Sequence, residues 1–168
     1  MDAACPAKGC SPIMTEDTRQ TVRQILALTQ HMPGALLPVL HGVQDALGYI
    51  PADAVGEIAR GLNLSRAEVH GVVTYYHHFR SEPAGRHVIQ MCRAEACQSM
   101  GSEALWAHAC THLGRAGHGT TEDGTFTLEP VYCLGLCASS PAMAVNGQVH
   151  ARVDPAKFDR LVAQARLA

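Results

Sequence analysis

The chain has 168 residues, of which 47% are hydrophobic and 17% charged, and its formal net charge at pH 7 is -2. A length near the size of one domain can bury roughly two-thirds of the unfolded surface, so the fold needs no disulfide staple. The low charge argues against a disordered chain, the ordinary apolar fraction against a membrane protein, and the balance of charge leaves no basic field for nucleic acid or an anionic membrane.

Residues 1–14, rich in Pro, Gly, Ala and Cys, read as a flexible tail without periodicity. The tail has no basic n-region followed by an apolar stretch, which is not the pattern of a signal peptide, so a reducing cytoplasmic setting is expected. From Thr15 to Phe79 the pattern is helical. Val22, Ile25, Leu26 and Thr29 share one face of a first helix. Leu36, Val39, Leu40, Val43 and Leu47 stripe a second, with Pro38 in its first turn and Gly48 as a left-handed cap. A third helix starts near Pro51, carries Val55, Ile58 and Ala59, and is expected to close at Gly61. Ser65-Arg66-Ala67-Glu68 is a capping box that opens a fourth through Val69, Val72 and Val73. Residues 15–80 therefore form a small helical bundle.

Ser81 to Gly85 reads as a linker, and beyond it the pattern changes. Residues 86–91 form a strand centred on Val88 and Ile89. Residues 102–113 form a helix with Trp106, Ala109, Cys110 and Leu113 on one side. Residues 125–132 form a second strand with Phe126 and Leu128 inward. Asn146-Gly147 joins a hairpin from 142–145 to 148–153. Asp154 and Pro155 open a last helix whose stripe is Phe158, Leu161, Val162 and Ala165. The order is thioredoxin-like. The expected fold is α+β: a helical bundle, then residues 86–168 as a four-stranded mixed sheet with flanking helices.

The chain has seven cysteines, and four of them carry the chemistry. An odd number cannot all pair as disulfides. Cys92 and Cys97 (C-x4-C) follow the first strand of the second half, and Cys133 and Cys137 (C-x3-C) follow the next. If those strands are parallel neighbours, both loops leave one edge of the sheet and four thiolates converge. Four thiolates hold a [2Fe–2S] cluster, two per iron. The small neighbours Gly101, Gly135, Ala138, Ser139 and Ser140 let backbone N–H groups approach the sulfurs. A structural zinc site also wants two cysteine pairs, but those pairs are most often C-x2-C. A thiol–disulfide enzyme would want C-x-x-C at a helix start, and none is present. Cys110 reads as core, and Cys5 and Cys10 as spare or oxidisable thiols.

The histidines suggest less. Two histidines with two cysteines would make a Rieske-type centre, but the adjacent His77 and His78 do not form that pattern with the cysteine pairs. At a helix C-terminus they suit the dipole. His31, His41, His70, His87, His108, His112, His118 and His150 are scattered and show no ligand spacing. No glycine-rich phosphate loop, nucleophile elbow or carboxylate pair appears, so no catalytic site is expected in this chain.

The segments LLPVLHGVQDALGYIP, LSRAEVHGVVTYYHHF, CRAEACQSMG and CLGLCASSPAMAVNG together resemble the thioredoxin-like [2Fe–2S] ferredoxin family, from about Thr15 to the C-terminus. The family includes the 24 kDa subunit of respiratory complex I, a diaphorase-side subunit of NAD-reducing hydrogenases, and the gamma subunit of soluble NAD-dependent molybdenum formate dehydrogenases. The resemblance implies one [2Fe–2S] cluster on Cys92, Cys97, Cys133 and Cys137, exchanging single electrons with the flavin of a partner subunit. Complex I members more often read Thr-Thr-Pro between the first two cysteines. Arg93-Ala94-Glu95-Ala96, with Gln98-Ser99 after it, looks most like the formate dehydrogenase subunit. That likeness implies FMN, NAD and further iron–sulfur clusters in one partner, a molybdenum cofactor in another, and residues 15–80 as a docking domain. Arg93 itself reads as a solvated arginine or as a charge that tunes the cluster.

Overall fold

The computed structural model describes residues 14–168, and its internal contacts divide the chain between Pro83 and Ala84 into two units. In the first, Thr15 caps α1 (Glu16–Thr29) by accepting the Thr18 N–H at 3.2 Å, and Glu16 and Asp17 place negative charge in the first turn, where the helix dipole favours it. Val22 and Leu26 are its buried face. In α2 (Leu36–Leu47), Val39, Leu40 and Val43 are fully buried, and Gly48 ends the helix at φ +83°. Each such side chain contributes about 1.5–3 kcal/mol by leaving water. Gln44 is also buried on α2. Its amide donates to the His78 carbonyl, and its own carbonyl accepts the Arg80 N–H, both at 2.7 Å. One side chain thus satisfies two backbone groups of the segment after the fourth helix.

α3 (Ala52–Gly61) and α4 (Arg66–Tyr75) complete the bundle. The Ser65–Glu68 capping box forms in both directions, with Glu68 N–H donating to Ser65 Oγ at 3.2 Å and Ser65 N–H to Glu68 Oε2 at 2.8 Å. α3 ends at Gly61, as expected, but without a left-handed glycine. Gly61 remains helical, and Asn63 takes the positive φ of +54°. Gly61 is small for another reason: a Cβ there would lie 3.0 Å from the Leu26 side chain of α1. Met14, grouped with the tail by composition, is buried in this core, and its N–H donates to Asp53 at 3.3 Å. The remaining tail, with Cys5 and Cys10, lies outside the described residues.

The second unit is built on a sheet of order β2-β3-β1-β4-β5. The strands are β1 (His87–Cys92), β2 (Gly119–Thr120), β3 (Phe126–Val131), β4 (Met143–Val145) and β5 (Gln148–His150). The sheet has five strands rather than four. β2 is two residues long and pairs antiparallel with β3 through Thr120↔Thr127, and two residues display no alternation to read. Its turn carries Asp123-Gly124, a hairpin dipeptide.

β1 and β3 are parallel, from His87↔Phe126 to Cys92↔Val131, and β4 runs antiparallel to β1. Between β1 and the next long helix lies α5 (Glu95–Ser99), a single short turn. α6 (Ser102–His112) and α7 (Pro155–Leu167) pack with the sheet. Their core joins Leu105 and Ala109 to Ile89, Met91, Phe126, Leu128 and Met143, and Phe158 and Val162 complete it. Trp106 and Cys110 lie half-buried against that core. Asp154 caps α7 through the Lys157 N–H at 2.7 Å, with Pro155 at its first turn. Asn146 and Gly147 both have positive φ, as the β4–β5 turn requires. Asn146 Oδ1 also accepts the Val88 N–H at 2.9 Å, tying the turn to β1. Among the described residues, no helix is long and apolar enough to cross a membrane.

Candidate metal centre

The parallel pairing of β1 with β3 decides the site, because parallel strands end at the same edge. Cys92 is the last residue of β1 and stands opposite Val131, the last of β3. Cys97 follows on α5, whose five residues are too few to display a helical period in the sequence. Cys133 lies two residues beyond β3, and Cys137 opens a 3-10 turn, Cys137–Ser139. Cys92 and Cys97 are buried and pack with Ala142, and Ala94, Val131, Leu134 and Leu136 line them. Cys133 and Cys137 are exposed, and all four are free thiols.

Cys133 and Cys137 Sγ are 3.7 Å apart. That is too long for a disulfide, at about 2.05 Å. It matches two sulfurs on one tetrahedral metal, which at about 2.3 Å each sit about 3.8 Å apart. The thiols also sense one another electrically. The Cys137 thiol is pushed up first by its contact with Cys133, and further by the charges of Cys97 and Cys92 on the other loop. Burial pushes Cys92 up, against backbone N–H groups of Ala94 and Leu134 that favour its thiolate. Burial acts on Cys97 in the same direction, but hydrogen bonds with Ser140, Cys92 and the Ala142 backbone outweigh it and hold that thiol below its ordinary value. A positive ion removes the mutual repulsion, so four crowded thiols with backbone donors fit a cationic iron–sulfur group.

The second loop adds its own donors. The Gly135 N–H points at Cys133 Sγ at 3.3 Å. Cys97 Sγ donates to Ser140 Oγ at 3.5 Å, and the Ser140 hydroxyl donates to the Cys137 carbonyl at 2.8 Å, so one serine links the two loops. Gly101, one of the small residues expected near the sulfurs, precedes α6 at φ +88°. Arg93 is not a free solvated charge. It grips Glu103 through two hydrogen bonds of 2.9 and 2.6 Å and lies 4.8 Å over the Trp106 ring.

His108 and His112 are not scattered: they stand one turn apart on α6, and both meet Asp159 of α7. Their i,i+4 spacing is visible in the sequence, but their third partner is not.

The family model for thioredoxin-like [2Fe–2S] ferredoxins matches residues 22–166. The chain belongs to that family. It is 36% identical over 150 residues to one of the NADH-quinone oxidoreductase subunits of Rhizobium meliloti, covering 89% of each chain. It is 30% identical over 146 residues to the NADP-reducing hydrogenase subunit HndA of Solidesulfovibrio fructosivorans, covering 84% of this chain and 85% of that one. Among solved structures it resembles an NAD+-reducing [NiFe]-hydrogenase in the air-oxidised state, with a TM-score of 0.66 and 27% identity over 82% of this chain. It spans 24% of the length of that hydrogenase chain. The ferredoxin family implies one [2Fe–2S] cluster, and the chain resembles subunits of NAD(P)-linked oxidoreductases.

Proposed function

We propose that this ferredoxin is a one-electron carrier within a multi-subunit NAD(P)-linked oxidoreductase, with its cluster held by Cys92, Cys97, Cys133 and Cys137. The convergence of two cysteine pairs at one edge of the parallel β1–β3 pair carries the assignment. When bound, a [2Fe–2S] cluster accepts and returns a single electron. The chain's own residues do the rest. Cys92 and Cys97 supply sulfurs from a buried, apolar pocket, whereas Cys133 and Cys137 supply them from the exposed side, where an electron can enter or leave. Gly135 N–H and the Ser140 link orient the second loop.

The names of the relatives favour an assembly of the complex I or NAD(P)-reducing hydrogenase kind. The formate dehydrogenase assignment suggested by Arg93-Ala94-Glu95-Ala96 stands behind it, and only that assignment calls for a molybdenum subunit. In either case the neighbour is a subunit carrying FMN, NAD and further clusters. Residues 15–80 form the docking domain, where Leu36, Val72, Tyr75 and Tyr76 border an open groove.

The test is made on anaerobically purified chain. About two iron and two sulfide per chain, a spectrum bleached by dithionite and an S = 1/2 signal on reduction are expected. Cys133→Ser lowers iron content, whereas Cys110→Ser leaves it unchanged. A colourless chain that retains stoichiometric zinc overturns the proposal in favour of a zinc-stabilised binding module. Subunits that co-purify from the native cell separate the three assemblies.

A further inference from the structure

On the second unit, away from the four cysteines in sequence, α6 and α7 bring together His108, His112 and Asp159. His108 Nε2 is 2.7 Å and His112 Nδ1 3.2 Å from the same oxygen, Asp159 Oδ1. The three ligand atoms all lie within 4.8 Å of one another. We infer that this triad is a second metal site, selective for a divalent transition ion such as Zn2+, Ni2+ or Co2+.

Three observations support it. The donor set is two imidazoles and a carboxylate, which suits those ions rather than Mg2+ or Ca2+. The spacing is close to what an ion needs: atoms about 2.0–2.1 Å from a tetrahedral ion lie about 3.3 Å apart, against 2.7 and 3.2 Å from the rings to Asp159 Oδ1, with every pair of ligand atoms within 4.8 Å. The rings are also held in place. Both stand edge-on to the fully buried Phe158, with centroids 5.8 Å away and interplanar angles of 84° and 89°. Phe158 immediately precedes Asp159, so the packing that fixes the rings also fixes the carboxylate. In the absence of an ion, His108 Nε2 is hydrogen-bonded to Asp159 Oδ1 and His112 Nδ1 stands 3.2 Å from the same oxygen; a cation between them replaces that contact with one bridging charge. Three protein ligands leave a coordination position open to water or to a carboxylate. The ion clips α6 to α7, the two helices that share the core of the cluster-bearing unit.

The test uses the full chain loaded with its cluster, so that the cysteines are occupied. Zinc is titrated by calorimetry, and zinc X-ray absorption reports the ligand atoms. One Zn2+ per chain is expected, with nitrogen and oxygen neighbours at about 2.0–2.1 Å, no sulfur at about 2.3 Å, and no change in the visible spectrum of the cluster. His108→Gln and His112→Gln each weaken binding at least about tenfold. His112 is at the surface, so its variant keeps the test open if His108→Gln disturbs packing on Phe158. No binding, sulfur around the zinc, or unchanged affinity in both variants overturns the site. If the cysteines held zinc instead of a cluster, two zinc ions would bind, and only the one without sulfur ligands would respond to these variants. The cluster proposal and the triad therefore fail separately.

Discussion

Cys133 has φ +125°, a backbone region that residues with a Cβ rarely occupy. Such a conformation costs about 1–3 kcal/mol and persists where the surroundings or the function require it. Here it turns the chain directly after β3 and presents the sulfur to Cys137 and to the Gly135 N–H. Cys133→Gly should therefore separate stability from function. The cluster-free variant should resist denaturant better than the parent by about 1 kcal/mol or more, while iron uptake on reconstitution falls. Equal or lower stability would show that the turn carries no strain. The cysteines themselves were legible because their spacing and their position after strands are local properties. The donors around them were not. Leu134 and Ala142 act through backbone N–H groups, and any residue type carries that group. Arg93 was legible only as a charge, because its partner Glu103 and its platform Trp106 lie one turn of α6 apart, ten and thirteen residues further on.

At the scale of elements, local signals were read well where a short motif fixes the backbone. The Ser65–Glu68 box, the Asp154–Pro155 start and the Asn146-Gly147 turn all appear. Gly61 and Gly85 show where such reading stops. Both look like punctuation in the sequence, yet they meet different neighbours. A Cβ on Gly61 would touch the flexible end of Leu26, at 3.0 Å. A Cβ on Gly85 would lie 2.9 Å from the Gly124 carbonyl oxygen and 3.1 Å from Phe126 backbone, which cannot move aside. Gly85 N–H also donates to Thr127 Oγ1 at 2.6 Å, so this residue of the expected linker is stitched to β3. Gly85→Ala should cost about 1–3 kcal/mol through overpacking. Gly61→Ala should be near neutral, because a gain in helix propensity of up to about 1 kcal/mol offsets the contact. Denaturant unfolding of the two variants measures the difference; equal losses would show that the Gly85 slot is not rigid.

At the scale of the whole molecule, the described residues form one hydrophobic core before the division between Pro83 and Ala84 and two after it, the smaller of these around Cys92 and Cys97. The proposed cluster ligands all belong to the second unit. A fragment of residues 84–168 should consequently fold and take up the same iron and sulfide per chain as the full protein, checked by circular dichroism and iron assay. An unfolded fragment would show that the helical unit is needed for more than docking. The amino-acid sequence by itself determined the helix and strand types, the class of the fold and the two cysteine pairs, because periodicity, caps and spacing act over a few residues. Only the tertiary structure decided that β1 and β3 run parallel, which carries two loops to one edge. It also supplied β2, too short to show a pattern, and it brought Asp159 to His108 across 51 residues. Those features depend on which surfaces pack together, and packing joins residues whose separation along the chain leaves no local trace.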